Sequence, residues 1–260
     1  MMFRLPVSQI GVEIRPPSGE EDLLLLEAPR RDRRLTVALA SRLTTSLDAA
    51  LAPIDWPSLC FTDLDAFLIG LRQSMRGDRI RTDTRCPRTG CGARVDVDFR
   101  LSDYLAHYAP RVSRQVEKDA EAGWFRLRDA PAAFRLVTVS DEIAIAYQSL
   151  PEEALALQCL RPGNMAGPLR RRVERAMASL APCLENDIDG LCPECGARIA
   201  LRFDPQEFIL RELQQQAASL YEDVHLLAKH YHWSELQILA LPHTRRTQYA
   251  DRIWQERKSV

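Results

Sequence analysis

Cys86-Pro87-Arg88-Thr89-Gly90-Cys91-Gly92-Ala93-Arg94-Val95-Asp96-Val97-Asp98-Phe99 and Cys192-Pro193-Glu194-Cys195-Gly196-Ala197-Arg198-Ile199-Ala200-Leu201-Arg202-Phe203 are two copies of one motif. Aligned on the last cysteine, both read Cys-Gly-Ala-Arg and then alternate toward a Phe. Val95, Val97 and Phe99 fall on one side of such a segment, as do Ile199, Leu201 and Phe203, so each copy predicts a strand buried on one face. The cysteine spacings are C-x4-C and C-x2-C. A tight glycine-containing turn holds two thiolates in a fixed bite, and two such pairs complete the tetrahedron that zinc prefers. Cys86, Cys91, Cys192 and Cys195 are therefore the candidate ligands of a structural Zn2+. Four thiolates leave no open position for water, so the site is expected to be mechanical and to pin together parts of the chain about 100 residues apart.

Upstream, Gly11 to Arg15 reads as extended, and Pro16-Pro17-Ser18-Gly19 turns into a short helix with an acidic first turn near Glu20. Apolar residues at helical spacing predict a helix from Leu35 to Leu51 and another from Asp63 to Met75, the latter closed by Gly77. Between the motif copies, Arg111 to Glu121 reads as polar surface helix or loop, Trp124 to Arg128 and Phe134 to Val139 as paired strands. Ser140 is a cap for a helix through Tyr147, Pro151 starts another, and Arg170 to Leu180 forms a third. After the second copy, Asp204-Pro205-Gln206-Glu207 is a strong helix start. Leu213, Ala217, Leu220, Val224, Leu227 and Tyr231 then predict one long amphipathic helix. A short helix from Glu235 to Leu241, ended by Pro242, and a last helix capped by Thr244 follow.

These elements predict an α+β fold, mainly helical, with a small zinc-ribbon-like β element built from the two cysteine repeats. Three regions are expected: a helical one over 1–85, a zinc-stapled one over 86–210 with an insertion at 111–185, and a helical tail over 205–260. The chain has 260 residues, of which 46% are apolar and 27% charged, which supports a sizeable core and excludes disorder. Net charge is −1, so no global field draws it to nucleic acid or anionic lipid. Only Lys118, Lys229 and Lys258 interrupt a basic complement of arginine. No apolar run approaches the roughly 18 residues of a membrane span, so no membrane insertion is expected. The start, Met1 to Pro6, carries no apolar block leading to a cleavage site, so no signal peptide is expected and the thiols should stay reduced.

Cys60, Cys159 and Cys183 lie in apolar helical contexts and are expected to be core thiols. His225, His230, His232 and His243, beside Glu222 and Asp223, lack the spacing of a helical metal site and are expected to pack or to meet a partner. No nucleophile elbow, Walker loop, dinucleotide fingerprint or kinase set is present, and Asp63 with Asp65 or Asp187 with Asp189 does not make a hydrolase. The chain is therefore not expected to be an enzyme or to take a small-molecule substrate. The elbow Tyr231-His232-Trp233 and the pair Arg245 and Arg246 are the candidate partner-binding residues, set against the simpler reading in which the aromatics fill the bend and the arginines face water.

Arg15-Pro16-Pro17-Ser18-Gly19-Glu20-Glu21, the two Cys-Pro…Cys-Gly segments, and a tail running Asp223 to Ala228, Tyr231 to Glu235, Ile238 to Pro242 and Arg245 to Tyr249 resemble a family of proteins. It is the baseplate protein family of T-even-type contractile phages, found also in phage-tail-like contractile injection systems. The resemblance implies a small baseplate or hub component, or an assembly factor for it, whose partners are other baseplate and tail subunits and which has no known catalysis. It implies a cytoplasmic location during assembly and a place in the virion or injection particle thereafter. The alternative from the residues themselves is a nucleic-acid-binding zinc ribbon using Arg88, Arg94 and Arg198, against which stand the acidic balance and the absence of interleaved aromatics. A thiol-redox role for Cys192 and Cys195 lacks its βαβ setting.

Overall fold

Met2–Arg4 (β1), Gly11–Ile14 (β2) and Thr44–Ser46 (β3) form an antiparallel sheet with β2 in the centre. The computed structural model from which this is read describes residues 1–48, 53–146, 148 and 151–258. β2 leads into Gly19–Glu27 (α1), and Arg33–Leu43 (α2) returns the chain to β3. The helix predicted over 35–51 thus ends at Leu43. Thr44 and Thr45 are β-branched and pair with β2, and Leu47 lies against Gly11, where an added Cβ would come within 3.2 Å of it. Residues 49–52, including Leu51, lie outside the described residues.

A 3-10 turn at Trp56–Ser58 precedes Phe61–Arg76 (α3), which ends at Gly77 with φ of 79°. Every residue of α3 from Thr62 to Arg72 is buried, so it is a central helix and not the amphipathic one its leucines suggested. The buried polar groups are paired within the chain. Asp63 accepts from the amides of Val7 and Ser8 at 2.8 and 2.9 Å, Asp65 meets Arg33, and Arg72 meets Glu212 at 3.2 Å. Arg79–Arg85 (β4) and Arg94–Arg100 (β5) then form the first cysteine hairpin, followed by Leu101–His107 (α4).

The chain next repeats this order. Val116–Lys118 (β6), Trp124–Leu127 (β7), Ala133–Arg135 (β8) and Leu160–Arg161 (β9) form an antiparallel sheet in which β7-β8-β9 reproduces β1-β2-β3, with β6 added at the edge. β8 leads into Val139–Ile145 (α5), Pro151–Cys159 (α6) returns to β9, and Gly167–Leu180 (α7) takes the place of α3. Asn186–Leu191 (β10) and Arg198–Phe203 (β11) form the second hairpin, followed by Pro205–Ala217 (α8). The chain is thus two halves of one topology, of which the cysteine motif is a part. The strand expected to reach Val139 stops at Arg135 because Thr138, not Ser140, caps α5; Tyr147 lies outside the described residues.

Leu220–Tyr231 (α9), Glu235–Leu239 (α10) and His243–Lys258 (α11) complete the tail. The single long helix predicted from Asp204 onward is interrupted at Ala218 and Ser219, and α11 begins at His243, one residue before the expected cap. The main core draws on Leu5 to Tyr104, on Val139 and Leu184, and on Phe203 to Ala217. The boundary expected at residue 85 falls inside this core. A second core lies between Val116 and Ala176, within the expected insertion, and a third is built from Leu226, Leu227, Ile238, Ala250 and Ile253 of the tail. The fold is α+β, about half helical at 48% with 21% strand. Among the described residues no helix is long and apolar enough to cross a membrane.

Candidate metal centre and the paired docks

Each cysteine hairpin leaves the main core at a phenylalanine and ends at a sulfur pair. Phe99 and Phe203, equivalent in the two motifs, meet edge to face at 5.2 Å in the core. At the far ends Cys86, Cys91, Cys192 and Cys195 bring their Sγ atoms within 4.8 Å of one another. The two halves contribute symmetrically: Cys86 faces Cys195 at 3.6 Å, and the equivalent exchange places Cys91 against Cys192 at 3.9 Å. Both separations exceed a sulfur–sulfur bond of about 2.05 Å, and all four thiols are free.

The turns are matched in detail. The amide of Cys86 donates to the carbonyl of Ala93 and that of Cys192 to Ala197, each at 2.8 Å. Gly92 and Gly196 follow the second cysteine with φ of 57° and 68°, a conformation in which glycine carries no Cβ penalty. That turn aims amides at sulfur. The Ala197 amide draws the Cys195 thiol down to about 7, whereas Cys86, although it receives the Arg88 amide, is pushed up to about 12 by burial and the neighbouring sulfurs. Ala93, Val95, Ala197 and Ile199 form an apolar collar around the cluster. The arrangement can hold a metal ion with four soft ligands, a low-dielectric surround and amides that favour thiolates.

The three arginines near the cluster are engaged within the chain. Arg94 pairs with Asp83 at 2.6 Å, Arg198 with Asp189 at 3.8 Å, and Arg88 donates to the carbonyl of Cys195 at 3.1 Å. Among the described residues no second group of metal ligands forms, and His225, His230 and His232 are exposed on the tail. Cys60 and Cys159 are buried as expected, but Cys183 is exposed beyond the end of α7, where its sulfur faces the backbone of Glu185.

At the expected partner elbow, Tyr231 stacks on Trp233 at 5.0 Å, and Tyr249 meets Trp233 edge to face at 5.1 Å. The aromatics are half-buried and fill the bend between α9 and α11, while His232 and Arg245 are exposed. Arg246 is a correction. It is 0% exposed and donates to Asp223 at 3.1 Å and to Asp22, so it is an enclosed clamp between tail and α1 and not an exposed contact residue. Burial was hidden by its neighbour Arg245 and by a run, Arg245-Arg246-Thr247-Gln248, that contains no apolar residue.

Sequence reading also missed a pair of docks. Arg15 binds the carbonyl of Pro16 at 3.2 Å and both oxygens of Glu21 at 2.7 and 3.1 Å, and the Ser18 amide and hydroxyl reach the same carboxylate at 2.9 Å. Arg135 does the same with Leu136 and Asp141, and Thr138 does what Ser18 does. The visible signal is Arg-x-x-Ser/Thr-x-x-Glu/Asp, which occurs at Arg15, Arg42 and Arg135 and caps a helix at the first and last. Each capped helix start receives another segment by one isolated bridge, Ser18 with Pro242 and Thr138 with Cys60. The next amide, Gly19 or Val139, donates to Leu241 at 3.2 Å or to Leu59 at 2.9 Å. An arginine then clamps the following carboxylate: buried Arg246 holds Asp22 with Asp223, and half-buried Arg33 holds Glu142 with Asp65.

No family, curated protein or solved structure matches the chain.

Proposed function

We propose that Cys86, Cys91, Cys192 and Cys195 bind a structural Zn2+ in a zinc-ribbon-like clasp. We also propose that the protein is a non-enzymatic component of the baseplate of a contractile tail or injection system, acting in or on it during assembly. The sulfur cluster carries the first part. A Zn–S distance of about 2.3 Å sets tetrahedral sulfurs about 3.8 Å apart, and the two facing pairs at 3.6 and 3.9 Å bracket that value. Zinc supplies a closed, redox-inert staple there, and its binding free energy becomes folding free energy for two hairpins that share no strand pairing.

The baseplate reading rests on the resemblance of Arg15 to Glu21 and of the tail. Those two stretches pack on each other through Ser18 with Pro242 and Asp22 with His243 and Arg246. The surface left for tail subunits is His232 and Arg245 beside the half-buried Tyr231 and Trp233. Nucleic-acid binding is not favoured, since the chain carries a net charge of −1 and Arg94 and Arg198 stand beside Asp83 and Asp189, whose charges offset theirs.

Two measurements test the proposal. Metal analysis of the purified chain should find one zinc per chain, absent from a Cys86→Ser and Cys192→Ser double variant; a metal-free native chain would end the clasp. Peptide mass spectrometry of purified contractile particles, with and without the gene, should find the protein at fixed low stoichiometry or find particles missing on deletion. Normal particles lacking the protein would end the baseplate assignment.

A further inference from the structure

We propose that the tail is exchanged between two copies of this chain, α9 to α11 of one copy seating on the α1 dock of the other while α8 and α9 run on as one helix. The occupant of the dock is the same segment in both arrangements, so every contact between tail and body is available across copies. The α1 dock takes a leucine carbonyl before a helix start and an arginine that holds Asp22, and Leu241, Pro242 and Arg246 provide them.

The tail is separable from the body it covers. Its core of Leu226, Leu227, Ile238, Ala250 and Ile253 is distinct from the main core, and it is joined to α1 through the Ser18 bridge, the Gly19 amide on Leu241, the close approach of Leu239 to Gly19, Asp22 with His243 and Arg246, and a hydrogen bond from Tyr221 to Glu27. Its tether is a short break at Ala218 and Ser219, where Ser219, with Glu222 three residues on, takes the N-cap position of α9 and sets its hydroxyl 3.4 Å from Asp223. Neither residue is glycine or proline, and the apolar stripe Leu213, Ala217, Leu220, Val224, Leu227 and Tyr231 runs through them without losing register. Both are already right-handed, with φ and ψ of −55° and −29° at Ala218 and −81° and −1° at Ser219. Turning Ser219 ψ by roughly 40° restores the helical value. The joined helix over 205–231 would be about 40 Å long at 1.5 Å per residue, enough to carry the tail clear of its own dock. Exchange of an identical element through a short hinge is a low-cost route to a dimer, because the open copy gains at its partner what it gives up at home.

The test is the molar mass of the full-length, metal-loaded chain by light scattering, from micromolar to near-millimolar concentration. A concentration-dependent dimer is expected. Ser219→Ala raises the helical preference of both hinges in the dimer and should tighten it about fivefold. Ala218→Gly with Ser219→Gly should return it to monomer, with the tail still seated by amide exchange. A chain that stays monomeric in wild type and in Ser219→Ala overturns the proposal. So does a dimer whose affinity ignores the hinge substitutions, because that dimer would use another surface.

Discussion

The two docks share a backbone and differ in what fills them. In the second half the occupant is the start of α3, a helix buried on every side and continuous with the main core. In the first half it is the start of α11, which belongs to a tail with a small core of its own. The clamps follow suit. Arg33 retains 21% side-chain exposure and shares itself between Asp65 and Glu142, whereas Arg246 is fully enclosed and leaves Nη1 without a partner. The same cap can therefore serve as an internal joint or as a seat for an appendage. What distinguishes them is how much of the occupant is committed elsewhere, since the hydrogen bonds at the contact are alike.

Removing the guanidinium from each clamp separates the two cases most strongly. Arg33→Met strands buried Asp65 and half-buried Glu142 at the joint between halves and should cost on the order of 3–5 kcal/mol of global stability, read by urea unfolding. Arg246→Met should cost a similar amount where the tail seats, but amide exchange should show the loss confined to α9, α10 and α11. Equal global loss in both variants would mean that the tail is part of the main folding unit and the contrast is false.

A milder probe uses the residue that follows each cap. A Cβ on Gly19 would stand 2.8 Å from the Leu239 backbone, while Val139 at the equivalent place is fully buried and tolerated. Gly19→Ala should lower stability by about 1–3 kcal/mol through overpacking and speed exchange in α10, with the zinc content unchanged. Wild-type protection in α10 would show that the tail can shift without leaving its seat.

The most gradual effect is one of pH. Burial pushes Asp65 up to about 6 against the opposing pull of Arg33, and burial also raises Glu142. A carboxyl that holds its proton longer when folded stabilises below its ordinary range and withdraws that contribution as pH rises through the raised value. Relative to Asp65→Asn, the wild type should lose stability between about pH 4 and 6, by less than about 1 kcal/mol over any half unit. A difference between the two proteins that is flat in pH would show that Arg33 balances burial at Asp65, and one that rises with pH would show that Arg33 outweighs it.

The sulfur cluster was legible because Cys, Gly and Pro are chosen for bond geometry, so both copies kept their letters. The larger repeat was hidden because its equivalences live in hydrogen bonds and burial: Ile14 answers to Phe134 and Asp22 to Glu142, pairs that share an environment and not an identity. Element types were read correctly wherever a cap or proline marked them, as at Asp204 and Pro151. Boundaries failed where a helical period ran on past the real end, at Leu43, where strand pairing took over, and at Ala218, where tertiary packing bent a stripe that remains periodic. The docks demanded knowledge of which charged residues are inside, which periodicity does not report for a residue such as Arg246.

The order in which the chain is made gives the clasp a direction in time. Cys91 and Cys192 are 101 positions apart, so a ribosome adding about 5–20 residues per second leaves the first thiol pair waiting roughly 5–20 s for the second. Throughout that interval the leading half carries two of the four sulfurs, and Phe99 lacks the ring of Phe203 that will cover it. The four sulfurs can thus meet only when the second hairpin emerges, so closure of the cluster comes late, shortly before α8 completes the main core.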